Sequence, residues 1–364
     1  MFPLPTDPLA QRVLLNALPG VGPATLRRLR DGFGGDLGAA LRAKPTELAR
    51  LKGVGAKVAA TIAARDFDWV AELARVEALG FRVVGEPSPD WPIAFAALWD
   101  PPIALYAEGA ALPGERAVAI IGSRHCTPYG ATLARRLARE LATAGWWIVS
   151  GLARGIDTAA HEGALDAGGR TVAVLGHGLD LTYPPEGRAL RARMRERGGV
   201  LSEFPLGRPA DRQSFPQRNR LVAALARAVV VVETDVDGGS LITARFAGDL
   251  GKTLCAVPGR VDSPASRGCH ALIRDGATLV SSTDEILREL GEARGEPSLP
   301  LPIAAAPAPE HARWLRPFAG GTAHDAESLA EAAHCAPAEA AAMLTLLEIR
   351  GLLLRRPDGR HEQG

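Results

Sequence analysis

Cysteine is scarce in this chain: four residues in 364, at positions 126, 255, 269 and 335, with no CxxC spacing. That scatter argues against a disulfide framework and a zinc site, and it suits a reducing, cytoplasmic setting. Net charge is nearly absent, at +1, so a nucleic-acid role cannot be claimed from overall charge and has to come from local clusters of arginine. No run of about 18 apolar residues exists, and no membrane span is expected. The opening Met1-Phe2-Pro3-Leu4-Pro5 lacks a basic region followed by an apolar core, so a signal peptide is not expected either. A P-loop GxxxxGK[ST] is missing, and Gly122-Ser123-Arg124 stands where a dinucleotide GxGxxG would follow the first strand. ATP and dinucleotides therefore have no recognisable cradle, and no cofactor is expected.

What the chain does have is glycine at the ends of short apolar runs. Ala117 to Ile121 leads into Gly122-Ser123-Arg124, and Trp146 to Ser150 leads into Gly151. Thr171 to Leu175 runs into Gly176-His177-Gly178, and Ala228 to Glu233 leads to Gly238-Gly239-Ser240. These runs are too short for helices, and each is followed by a helical pattern. They read as buried parallel strands of an α/β sheet, with Val200 to Phe204 and Thr253 to Val257 as further members. In such sheets ligands lie beyond the carboxyl ends of the strands, where glycine lets backbone N–H groups approach an anion. Four glycine loops on one rim predict a phosphate-binding crevice. Helices are predicted at Tyr129–Ala144, Arg188–Arg197, Phe215–Ala226 and Cys269–Asp275, with Asp157 or Thr158 capping the helix after Gly151.

The flanks differ. Leu18-Pro19-Gly20-Val21-Gly22 and Leu51-Lys52-Gly53-Val54-Gly55 are near-copies that look like tandem helix-hairpin-helix turns. Their glycine turns would aim backbone N–H groups at a DNA phosphate without reading sequence; two ordinary packed helix hairpins are the alternative. From Phe81 to Pro113 proline and tryptophan predict an extended strap, with Ile103 to Tyr106 as an edge strand. Gly291 to Pro309 reads as a linker. Beyond it, helices at Ala326–Ala333 and Pro337–Arg350 and a hairpin with an Asp358-Gly359 turn make a winged-helix pattern.

The ordered motifs IGSR at 121–124, SGLARGIDTAAH at 150–161, GHGLDLTYP at 176–184, FPQRNR at 215–220, GGSLITARFA at 238–247, VPG at 257–259 and RGCHALIRDGA at 267–277 resemble the DNA-processing protein A (DprA, also called Smf) family. The resemblance implies a helical, SAM-like segment at 1–80, an extended Rossmann-like domain at 81–290, a linker at 291–312 and a winged-helix-like segment at 313–364. It implies single-stranded DNA and the recombinase RecA as partners in transformation and recombination, a homodimer, and duplex contact through the N-terminal hairpins. Carried over residue by residue, Gly122, Ser123 and Arg124 would cradle a phosphate. Arg212 would add positive charge, Phe215 would stack on a base, and Arg218, Asn219 and Arg220 would complete the FPQRNR motif. Gly239 and Ser240 would form a second phosphate turn. Arg188, heading the basic helix, and Lys252 would add further contacts, while His270 and Leu279 match dimer positions. The family usually has SGS where Gly238-Gly239-Ser240 stands here.

Without the family name, the stretch from Arg208 to Arg220 still mixes arginines with Phe215, as a groove for single strands requires. The rival reading is a nucleotide hydrolase related to the lysine-decarboxylase-like family. Its PGGxGTxxE pattern needs a glutamate, and Gly239 to Arg245 offers no acid. His161 and His177 lie near glycine loops and Asp157, Asp180 and Glu233 near strand ends, where caps and loop-fixing partners are commoner than catalysts. His125-Cys126 and Cys269-His270 are sequence neighbours, and such neighbours rarely form a nucleophile and its base. No active site and no metal site is assigned.

Overall fold

The computed structural model describes residues 2–292, 309–318, 322–350, 352–356 and 359–363. The chain divides into two compact units, Met1–Ala293 and Arg294–Gly364.

The first unit opens with six helices: α1 (Pro8–Ala17), α2 (Pro23–Gly32), α3 (Leu37–Arg42), α4 (Pro45–Leu48), α5 (Ala56–Ala64) and α6 (Trp69–Ala78). Asp7, Asp36 and Asp68 cap α1, α3 and α6 by accepting from backbone N–H groups three residues on, the role such side chains play best. Gly20 and Gly53, in the turns before α2 and α5, have φ of +79° and +84°. Their left-handed backbone is the reason for glycine there. Leu14, Leu29, Leu41, Leu48 and Ile62 form the core of this helical segment.

The sheet follows: β1 (Arg82–Val84), β2 (Leu105–Gly109), β3 (Ala117–Gly122), α7 (Pro128–Thr143), β4 (Trp147–Ser150), α8 (Ile156–Asp166), β5 (Thr171–Leu175), α9 (Arg188–Arg197), β6 (Gly199–Ser202), α10 (Ser214–Leu225), β7 (Ala228–Val232), α11 (Ser240–Asp249), β8 (Thr253–Ala256), α12 (Pro264–Arg274), β9 (Thr278–Leu279) and α13 (Thr283–Glu289). The strand order is β1-β2-β6-β5-β4-β3-β7-β8-β9. From β6 to β9 every pairing is parallel, whereas β2 is antiparallel to both β6 and β1. Both faces are covered, so strand residues alternate between two cores. Ala119, Ile121, Val229 and Val231 pack with Leu221 and Leu225 of α10. Val118, Ile120, Ile148 and Val230 pack with Leu137 and Leu141 of α7. This two-sided burial explains why the strands read as unbroken apolar runs.

Two expectations are corrected here. The stretch at Ile103–Tyr106 is not an edge: β2 starts at Leu105 and lies between β6 and β1, a strand that Phe81 to Pro113 did not announce. Within the strap, Ile93–Ala97 forms a 3-10 turn whose Phe95 packs into the core beside α10. The helix expected from Cys269 starts at Pro264, because Pro fits its first turn.

The second unit contains α14 (Pro309–Leu315), α15 (Ala326–Ala333), α16 (Pro337–Ile349) and an antiparallel pair, β10 (Leu353–Arg355) with β11 (His361–Gln363). Trp314, Phe318, Leu329, Leu344 and Leu353 make its core. The expected linker falls largely outside the described residues, as does Asp358 of the expected turn. Among the described residues no helix is long and apolar enough to cross a membrane.

A buried ion pair lies beneath the strap, and a half-exposed acid of the strap joins it. Arg220, 2% exposed, donates to Glu203 at 2.6 Å and to Asp100 at 3.0 Å. Removing its guanidinium leaves the buried Glu203 carboxylate uncompensated, which typically costs about 3–5 kcal/mol. Arg220→Ala is expected to lower the unfolding free energy of this unit by about 3 kcal/mol in a urea titration. A loss below about 1 kcal/mol would show that the pair adds no more than a surface ion pair does.

Candidate nucleic-acid interface

From β3 the chain winds through α7, α8 and α9 out to β6, and β7 then returns to the other side of β3. The direction of winding therefore reverses between β3 and β7. Strand ends diverge at such a point and leave room for a ligand. A crevice of about 500 Å³ opens there, lined among others by Gly122, Ser123, Arg124, Arg212, Phe215 and Asn219.

Its walls are loops that lock one another. Gly122 has no room for a side chain, because a Cβ would strike the Val232 carbonyl and Ile156. The Ser123 N–H donates to the Glu233 carbonyl at 2.7 Å, and the Ser123 carbonyl accepts from the Ile156 N–H at 3.2 Å. Gly155 has φ +76°, and a Cβ there would meet the Ser123 carbonyl. Glu233 lies in the left-handed region at φ 54°, a strained setting for a residue with a side chain. Its carboxylate accepts from the N–H and hydroxyl of Thr127, and Thr127 in turn caps α7. The ends of β3, β4 and β7 are thus fastened together, and Arg124 projects into solvent between them.

Helix α10 supplies the next wall. Asp211 accepts from the Gln213 and Ser214 N–H groups at 2.8 and 2.7 Å, and these bonds hold its carboxyl below the usual carboxylate range. Below the surface, Arg218 is 4% exposed and donates to the Gly151 carbonyl at 2.7 Å and to the Val174 carbonyl. Burial brings its pKa down to about 10, with Asp157 pulling the other way, so it stays charged at neutral pH. Gly151 is required because a Cβ would collide with this guanidinium. Asp157 accepts from the Gly151 and Ala153 N–H groups. It fastens the loop before α8 rather than capping that helix, whose first residue follows Gly155.

On the open side, the Arg124 guanidinium lies 4.6 Å from the centroid of the Phe215 ring, and Tyr183 tilts against the same ring at 5.9 Å. A side pocket of about 120 Å³ continues beneath them to His177. The last wall is the turn into α11. There the Ser240 hydroxyl bonds Thr234 at 2.7 Å, and Asn219 donates to the Gly239 carbonyl at 3.4 Å. Gly238, Gly239 and Ser240, at the opening of α11, line the crevice, and a helix terminus favours an anion. Two exposed guanidinium groups, a helix terminus and an aromatic ring fit a phosphodiester chain carrying bases.

Residues 82–291 match the family model of DNA recombination-mediator protein A, and residues 12–65 match a SAM-like helix-hairpin-helix tandem. The chain is 39% identical over 319 residues to a putative DNA processing protein DprA of Mycobacterium tuberculosis, covering 82% of each chain. The chain belongs to the DNA recombination-mediator protein A family. Protein Smf of Synechocystis is 36% identical over 285 residues, covering 75% of this chain and 70% of Smf. The X-ray structure of DprA from Streptococcus pneumoniae superposes with a TM-score of 0.66 at 32% identity, over 76% of this chain and 95% of that one. A Helicobacter pylori DprA structure, described for its single-stranded DNA binding mode, gives 0.53 at 34% identity over 58% of this chain and 96% of that one.

The family resemblance carried twelve DNA-binding positions into this fold, and the structure sorts them. Gly122, Ser123, Arg124, Arg212, Phe215, Arg218, Asn219, Gly239 and Ser240 all line the crevice, with Arg218 as a buried tie rather than an exposed contact. Arg220 is not brought there, because Glu203 and Asp100 hold it beneath the strap. Lys252 precedes β8, on the amino rim of the sheet opposite the crevice, and burial lowers its pKa. Arg188 is exposed at the start of α9, outside the crevice lining. His270 bonds Gly259, and Leu279 is half exposed on the edge strand β9. The histidines and acids weighed as catalysts are tied into loops. Asp180 accepts from the Gly207 N–H at 2.7 Å and from Arg75 at 2.9 Å.

His161 is fully buried, with Nδ1 2.7 Å from the Thr171 hydroxyl and Nε2 accepting from the Leu152 N–H. Burial pushes its pKa from 6.5 to about 3. The unfolded chain takes up this proton below about pH 6.5 and the folded one does not, so the stability involved is present above that pH and lost on acidification toward 3. Between pH 6 and 4, unfolding free energies should fall with a contribution of up to about 1.4 kcal/mol per pH unit that His161→Gln lacks. Parallel pH profiles for the two proteins would contradict this.

Proposed function

We propose that this protein binds single-stranded DNA in the crevice between β3 and β7 and loads RecA onto it during recombination and natural transformation, without itself making or breaking bonds. The observation carrying this reading is the convergence of Arg124, Arg212, Asn219, Phe215 and the Gly239-Ser240 turn on one crevice. The described binding mode of the Helicobacter pylori relative supports it. The nucleotide-hydrolase alternative is not favoured, since the first turn of α11 contains no acid. The same reading divides the chain into a helical segment at 1–80, which adds duplex contact through its hairpins, a DNA-binding domain at 81–290, a linker at 291–312 and a winged-helix-like segment at 313–364. It also places the work in the cytoplasm and pairs two copies through His270 and Leu279. Gel filtration showing a monomer at micromolar concentration would remove the pairing.

Fluorescence anisotropy with labelled oligothymidine tests the DNA reading. Affinity should fall steeply with salt, by about 0.7 log units per tenfold salt for each phosphate neutralised. The combined Arg124→Ala and Arg212→Ala variant is expected to bind at least about tenfold more weakly and with a shallower salt slope. Wild-type affinity in that double variant would overturn the assignment.

A further inference from the structure

We propose that Trp99, overlain by Arg27, is a second base-stacking platform, on which a strand leaving the crevice continues across α10 onto the face of α2. The inference rests on the DNA-binding reading above and extends its site. Trp99 is 78% exposed, whereas the other five tryptophans are buried or half-buried. An exposed indole of this size offers a broad flat face to a stacking partner. The Arg27 guanidinium lies 4.2 Å from the ring centroid, which leaves the opposite face open.

Arg27 makes no ion pair among the described residues. The nearby acids are already engaged: Glu86 meets both Arg12 and Arg30, and Asp100 meets Arg220. Asp31 is the exception, exposed on α2. The platform offers a guanidinium without an ion-pair partner on an aromatic ring, the combination that holds single strands by stacking and charge together. Beside it, a groove of about 980 Å³ runs between α2 and the strap, with Arg27, Arg30, Trp91 and Ile93 along it.

The platform and the crevice flank the same helix, α10. Asp100, next to Trp99, is tied to Arg220, and Arg220 directly follows the crevice residue Asn219 on α10. A polynucleotide suits this layout, because among the described guanidinium–ring pairs only that of Trp99 presents an exposed ring, as base stacking requires.

The test compares oligothymidines of about six and about twenty residues with the full-length protein. The longer strand should quench the emission of the exposed tryptophan, and Trp99→Ala should abolish that quenching. Trp99→Ala should bind the longer strand about tenfold more weakly and the shorter one as the wild type does, with Trp99→Phe restoring most of the loss. Equal binding of both lengths by wild type and Trp99→Ala would overturn the platform alone and leave the ring to a protein contact. Equal weakening at both lengths would overturn it too. Failure of the wild type to bind either strand would remove the crevice reading and this inference with it.

Discussion

The guanidinium of Arg218, sunk beneath the crevice, is the tie on which the rest of the site depends. It reaches from α10 to the carbonyls of Gly151 and Val174, at the ends of β4 and β5, beside the buried Asp157. A charge removed from water is tolerated only where its hydrogen bonds are well formed and a counter-charge is near. Both conditions tie the start of α10 to the rim of the sheet. Arg212, Phe215 and Asn219 are carried by that start, so their positions follow from a group that no ligand needs to touch.

Arginine accordingly does two kinds of work here. Arg218, Arg220 and Arg191 are buried and committed to carbonyls or carboxylates, giving shape. Arg124, Arg212 and Arg27 are exposed or lie over aromatic rings, which leaves their charge for a partner. A chain with net charge of only +1 can therefore still present cationic points where a phosphodiester backbone would pass. The crevice also contains Asp157, Asp235 and Asp237, so its attraction for an anion comes from placement and not from bulk charge.

Much of the sheet could be read from the chain, because two-sided burial demands continuous apolar runs and the loops beyond them demand glycine. β5 and α9 appear at the predicted residues. Gly122, Gly151 and Gly155 are each required by a close approach of backbone or side chain. What could not be read was which arginines point outward. Arg218 and Arg220 sit two residues apart in one motif, yet both are buried: Arg218 reaches to the strand ends beneath the crevice, and Arg220 lies under the strap, which covers it. That cover is a tertiary fact with no local signature. Lys252 is different: a residue just before a parallel strand lies on the amino rim, and strand direction alone separates it from a site at the carboxyl ends. The order of strands, with β2 reversed and β1 outside it, depends on pairing between distant segments.

The most direct measurement is a crystal structure of the full chain with a short oligothymidine. A phosphate lying between the Gly122–Arg124 loop and the Gly239–Ser240 turn, within hydrogen-bond distance of Arg124 or Arg212, is the result this account requires. A strand bound elsewhere on the molecule, with that crevice filled only by solvent, would contradict it.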